Sequence, residues 1–146
     1  MTTSRIREFD PKQLSNAGQA VHDRILGERG YLPGPYRFWL ESPGFADTIE
    51  PLEAYLRERS SLAGSVIETL VLTTANHWRT RYVWTAHVPP ALESGLEQAD
   101  IDAVLAGQPA NGLKRDDAVC HTLCTTLLAG CDTRDDVWAR AMECFG

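Results

Sequence analysis

The sequence predicts an all-α fold, and three observations carry that reading. Apolar residues recur at helical spacing along most of the chain. Helix starts and stops are written at regular points: Asp10-Pro11 and Ser42-Pro43 as starts, Gly30, Gly95, Gly107 and Gly130 as stops. No segment stands out as a convincing β-strand.

The elements follow in order. Residues 1–9 read as frayed. Asp10 is an acceptor at an N-cap and Pro11 the residue favoured at the first helical position, so a helix is expected from Pro11 to about Glu28, ended by Gly30. Tyr31-Leu32-Pro33-Gly34-Pro35 cannot be helical and forms a rigid connector. A short aromatic helix covers Tyr36 to Glu41. Ser42-Pro43 restarts the chain into a helix reaching about Arg59, with Leu52, Tyr55 and Leu56 on its inner face.

After a joint at 60–65, the run Val66 to His77 is almost wholly apolar, as in a central helix buried on most sides. Its β-branched residues make a strand the competing reading; its length and helical neighbours favour the helix. Arg81 to Ser94 forms the next helix, with Gly95 as its stop. Pro89-Pro90 lies inside it, and interior proline removes a backbone hydrogen bond, so a kink or break is expected just after His87. Glu97 to Ala106 is a short surface helix closed by Gly107. Asp116 to Ala129 is a second strongly apolar helix, stopped by Gly130. Thr133 is expected to cap a short last helix that runs to the end of the sequence.

Length and composition set bounds. The 146 residues fit one domain, 1–146. Hydrophobic residues make up 43%, enough to bury a core. A net charge of −6 argues against binding to nucleic-acid phosphates, which relies on clustered Lys and Arg. The acidic residues Glu28, Glu41, Glu50, Glu53 and Glu58 are scattered and read as a solvated surface. No apolar run approaches the roughly 20 residues that span a bilayer. The polar stretch Met1 to Asp10 has no apolar signal core, and a cytoplasmic location is the default expectation.

Four cysteines (Cys120, Cys124, Cys131 and Cys144) form no C-x-x-C pair and are expected to be reduced thiols. Cys120 and Cys124 share a helix face, and with His121 they could form a metal or redox group. Core packing is the plainer reading.

Two residues stand out for chemistry. Glu68 is the only carboxylate between Arg59 and Arg79, set among Val71, Leu72 and other apolar neighbours. An ionised carboxylate in such surroundings must find a partner or change its protonation. His87 lies on the following helix, and histidine gives or takes protons near neutral pH. A short bend at 78–80 between two antiparallel helices could bring the two together. Separately, Glu68 reads as a wet residue near a helix N-terminus and His87 as a satisfied core residue. Arg79 and Arg81 flank the bend and could hold a substrate carboxylate through paired hydrogen bonds. Trp84 could form an apolar wall, Tyr82 could donate to a developing oxyanion, and His77 is a further candidate at the bend. Trp84 also has an ordinary structural reading as core packing, and Arg79 and Arg81 as solvated loop residues.

The stretch from Glu68 through Trp84-x-x-His87, Ala91-x-x-x-Gly95-Leu96 and Asp100-Ile101-Asp102-Ala103-Val104 resembles the carboxymuconolactone decarboxylase family, which includes the alkylhydroperoxidase D proteins. Upstream, Gly30-x-x-Pro33-x-Pro35 and Ser42-Pro43 are similar to that family's lead-in, so the resemblance spans about residues 28 to 130.

The resemblance implies an orthogonal helical bundle of the alkylhydroperoxidase D-like type, assembled as a homo-oligomer. It implies Glu68 and His87 as the proton-handling pair, and decarboxylation of a small lactone acid without a cofactor. The family's peroxidase branch carries a C-x-x-C at positions that are Thr80 and Val83 here, so thiol-dependent peroxide reduction is not expected. The resemblance also implies a last, strongly apolar helix; either the helix after Thr133 is a short form of it, or more sequence once followed. Two alternatives stand beside the lyase: an isomerase or hydratase using the same pair, and a non-catalytic oligomeric scaffold in which the pair fixes helix packing.

Overall fold

The computed structural model describes residues 9–108, 112–130 and 132–146. The expectation of fraying at residues 1–8 and the fourth cysteine, Cys131, lie outside the described residues. The fold is all-helical, with no strand among the described residues. Eight α-helices are described: α1 (Asn16–Arg29), α2 (Tyr36–Trp39), α3 (Pro43–Ala54), α4 (Gly64–His77), α5 (Arg81–Glu93), α6 (Gln98–Leu105), α7 (Arg115–Gly130) and α8 (Asp135–Phe145). They fall into two compact units, divided in sequence after Arg59. None of the described helices is long and apolar enough to cross a membrane.

In the first unit the chain enters its long helix later than the sequence suggests. Asp10 accepts from the Lys12 amide, but it caps only a single 3-10 turn, Pro11–Gln13. Leu14 is extended, and Ser15 is the cap of α1, its hydroxyl accepting from the Gly18 amide at 3.1 Å. The second cap lies nearer the apolar stripe and takes the helix start. Gly30 closes α1 with φ at 73°, a left-handed conformation open to glycine without steric cost. Replacing Ser15 with alanine is expected to destabilise this unit by about 1 kcal/mol, measured by urea denaturation. The core of the unit gathers Ile25, Tyr36, Leu40 and Ala46, with Leu14, Val21 and Trp39 packed around them.

Helix α3 corrects two expectations. Leu52, Tyr55 and Leu56 are exposed, each by more than half, and the buried residues are Ala46 and Glu50. The face turned inward follows the positions 46, 50 and 53, because Arg29 reaches it from α1. Arg29 Nη2 lies 2.9 Å from Glu50 and 2.6 Å from Glu53, and Arg24 adds contacts to Asp47 and Glu50. Glu50 is therefore not part of a solvated surface; it sits in a buried ion-pair network. Burial pushes its carboxyl upward, and the Arg29 and Arg24 guanidiniums outweigh that and hold it below the usual carboxylate range. Past Ala54 the chain continues as a π-helical turn, Tyr55–Arg59, where the sequence predicts ordinary helix. Interior Pro51, which cannot donate to the turn before it, lies just upstream.

In the second unit α4 is the central helix, packing against α5, α6 and α7. Its β-branched residues do not make it a strand. The Thr73 and Thr74 hydroxyls donate back to the carbonyls of Thr69 and Leu70, at 2.7 and 2.8 Å, and so are satisfied within the helix. The core joins Leu72 of α4, Ala91 of α5, Leu96, and Ile101 and Val104 of α6. Arg79, in the bend between α4 and α5, takes the left-handed conformation at φ 51°.

Of the kink or break expected after His87, the break does not occur. Helix α5 runs from Arg81 to Glu93 through Pro89 and Pro90. Proline at these positions removes the i+4 donors for the carbonyls of Thr85 and Ala86 only, and the packing of α5 on α4 carries the helix across. Gly95 and Gly107 follow α5 and α6 with φ at 96° and 66°. The last helix is capped differently from expectation: its N-cap is Arg134, not Thr133, and the Thr133 amide donates to Asp132 instead.

Candidate functional site

Glu68 is placed in the second turn of α4 and His87 in the second turn of α5. The two helices form an antiparallel hairpin around the bend at 78–80, so residues 19 apart in sequence face each other across it. His87 Nδ1 lies 2.7 Å from Glu68 Oε2, in the range of a charge-assisted hydrogen bond. Glu68 is almost covered, with 7% of its side chain exposed, whereas the His87 ring is 18% exposed. The geometry fixes the imidazole in place. A carboxylate at Nδ1 holds the N–H there, so that in the neutral ring Nε2 is the acceptor and in the imidazolium it is a second donor.

Trp84 sits one turn before His87, half-buried against the core around Leu72 and Ala91. It therefore walls the same face of α5. The other bend residues are less closely placed. Arg81 and Tyr82 begin α5, and Arg81 stands roughly 9 Å along the axis from His87 at 1.5 Å per residue. Arg79, Arg81 and Tyr82 are exposed, and neither arginine makes an ion pair among the described residues. His77 ends α4, more than two turns from Glu68. It lines a different cavity of about 140 Å³ with Thr73, Asn76, His121 and Thr125. Burial pushes the His121 ring down from its ordinary value, toward the neutral imidazole.

Cys120 and Cys124 face α4, as core-packing residues do. Both are buried; the Cys120 thiol donates to the Val66 carbonyl at 3.6 Å, and Cys124 Sγ lies 3.5 Å from the Thr74 hydroxyl. Burial, aided by neighbouring Cys124 and Asp117, pushes the Cys120 thiol up to about 12, which keeps it in the unreactive protonated form. Among the described residues no three His, Cys, Asp or Glu side chains are grouped to hold a metal ion, the set Cys120, His121 and Cys124 included.

Sequence reading missed two buried polar groups. Asp117 is 2% exposed and its Oδ1 has no hydrogen-bond partner; the Thr69 hydroxyl oxygen, beside Glu68, is likewise unpartnered. Asp117 reads in the sequence as an ordinary acidic residue in the first turn of a helix, and no local signal marks it as buried. Compared with known proteins, the chain matches no family model, no curated sequence and no solved structure.

Proposed function

We propose that the chain is a lyase-type enzyme of the carboxymuconolactone decarboxylase kind, which moves a proton on a small carboxylic or keto acid with Glu68 and His87. The observation that carries this reading is the 2.7 Å contact between a nearly covered carboxylate and a partly exposed imidazole. In the proposed step, the bond from carbon to the substrate carboxylate breaks and carbon dioxide leaves. The electron pair passes into the adjoining carbonyl as an enolate. The His87 imidazolium, held by ionised Glu68, gives its Nε2 proton to carbon and becomes the neutral ring. Water then reprotonates that ring through its exposed edge. Trp84 shields the enolate from solvent, and Arg79 or Arg81 holds the substrate carboxylate at the mouth of the bend.

A second reading is that the pair only fixes helix packing in an oligomeric scaffold, since a 2.7 Å contact between two largely covered side chains is also what a structural buried pair shows. Incubation in D₂O separates the two. With 4-carboxymuconolactone and a panel of small lactone and β-keto acids, the enzyme is expected to release carbon dioxide and leave one deuteron on the carbon next to the carbonyl, which is the vacated carbon in a β-keto acid and the far end of the conjugated dienolate in the unsaturated lactone. Absence of both signals across the panel overturns the catalytic reading and leaves the scaffold.

A further inference from the structure

The cavity beside His77 stands apart from the Glu68–His87 pair and has a chemistry of its own. It measures about 140 Å³ and opens between α4, α6 and α7. Helical spacing assembles it. Asn76 and His77 come from the last turn of α4, Val104 from α6, and His121, Thr125 and Leu128 from positions i, i+4 and i+7 of α7. Val104, 5% exposed, and half-buried Leu128 supply an apolar wall, whereas His77 and Thr125 are exposed and stand at the mouth.

Several hydrogen-bonding groups converge here with no protein partner. Asn76 donates from Nδ2 to the Val104 carbonyl at 2.7 Å, which fixes the carboxamide and leaves Oδ1 as an acceptor. Among the described residues, neither the His77 and His121 rings nor the Thr125 hydroxyl hydrogen-bonds to another side chain. No Lys, Arg, Asp or Glu lines the cavity. Burial holds the His121 ring toward its neutral form, which carries one N–H donor and one acceptor nitrogen.

We propose that this cavity binds a small uncharged ring bearing a hydroxyl, a phenol. Size sets the first limit. An apolar cavity of about 150 Å³ admits one benzene, whereas drug-sized ligands occupy about 300 Å³ or more. Charge sets the second, because walls without a cation or a carboxylate do not repay the desolvation of an ionised ligand. Polarity sets the third. A wholly apolar ring would leave Asn76 Oδ1 and the His121 nitrogens without water and without a partner. A phenolic hydroxyl both donates and accepts, so it can serve a carboxamide oxygen and an imidazole N–H together while the ring lies on Val104 and Leu128.

The proposal does not depend on the Glu68–His87 chemistry, and proton NMR of the full chain tests it. The chain has four histidines, and His77→Phe and His121→Phe assign two of their ring signals. Phenol titrated to about 10 mM at neutral pH is expected to shift both together, with a Kd roughly millimolar or tighter, the range open to so small a ligand. Benzene and benzoate should each bind about 10-fold more weakly or worse. Leu128→Trp, which fills the cavity, should weaken phenol about 10-fold or more, whereas Leu127→Glu, in a separate apolar groove of about 360 Å³, should leave it unchanged. If Leu128→Trp does not fold, His121→Phe with unchanged circular dichroism carries the same expectation. The proposal is overturned if phenol shifts neither ring, or if benzene or benzoate binds as tightly as phenol. It is overturned equally if binding persists undiminished in the folded cavity variant or is lost in Leu127→Glu.

Discussion

Replacing His87 with alanine is expected to lower turnover of the acid substrate by about 10²–10⁴-fold, the range for removal of a positioned general acid. In the proposed step the ring supplies the proton that must reach carbon; Glu68 lies 2.7 Å from its Nδ1, which leaves Nε2 for the substrate. The change also removes a hydrogen-bond partner from a carboxylate of which 7% is exposed, so a loss of about 1–3 kcal/mol in stability accompanies it. Circular dichroism and urea denaturation therefore run beside the assay. His87→Gln, of nearer size, separates the roles: it refills the gap yet transfers no proton, so activity stays low while stability recovers. Added imidazole should restore part of the His87→Ala rate. Glu68→Gln keeps a hydrogen-bond acceptor at Nδ1 but removes the charge that stabilises the imidazolium, and its main effect is expected in kcat. Near-normal kcat/KM in both Glu68→Gln and His87→Ala would remove the pair from the mechanism.

The largest stability effect is expected far along the chain from that pair, at Arg29. Its side chain is 6% exposed and touches Glu50, 7% exposed, at 2.9 Å and Glu53 at 2.6 Å. Removing one member of a buried ion pair leaves its partner desolvated and uncompensated, a loss of about 3–5 kcal/mol. Arg29→Ala should approach that figure, softened by Arg24, which still reaches Glu50 at 3.4 Å.

The pH dependence has a definite sign. The Glu50 carboxyl lies below its ordinary value of 4.5 in the folded chain, so its contribution is fully present above that pH and disappears as pH falls through the lower, folded value. In Arg29→Ala the chief group holding Glu50 down is gone and burial is less opposed. The gap between wild type and variant should therefore narrow as pH drops below 4.5. Urea denaturation across this range measures it. A loss below about 1 kcal/mol at neutral pH would class the network with exposed surface pairs.

The helical character of the chain and most of its punctuation are legible in the residues alone. Gly30, Gly95 and Gly107 follow their helices as the stops expected of them, each at positive φ, because that conformation is a local demand that a missing Cβ meets without help from distant parts of the chain. The hairpin that brings Glu68 to His87 follows from two apolar helices and a short bend, again a nearly local matter. Burial was harder to read. Leu52, Tyr55 and Leu56 form a plausible inner face for the segment 43–59, yet Ala46 and Glu50 are the buried ones. The guanidinium that turns α3 the other way comes from another helix, 21 positions earlier. The same holds for the passage of α5 through Pro89-Pro90 and for the covering of Asp117. Helix starts and stops are governed by neighbours a few residues away, whereas the face a helix hides is set by which other helix lies against it, and periodicity does not encode that choice when both faces carry apolar residues.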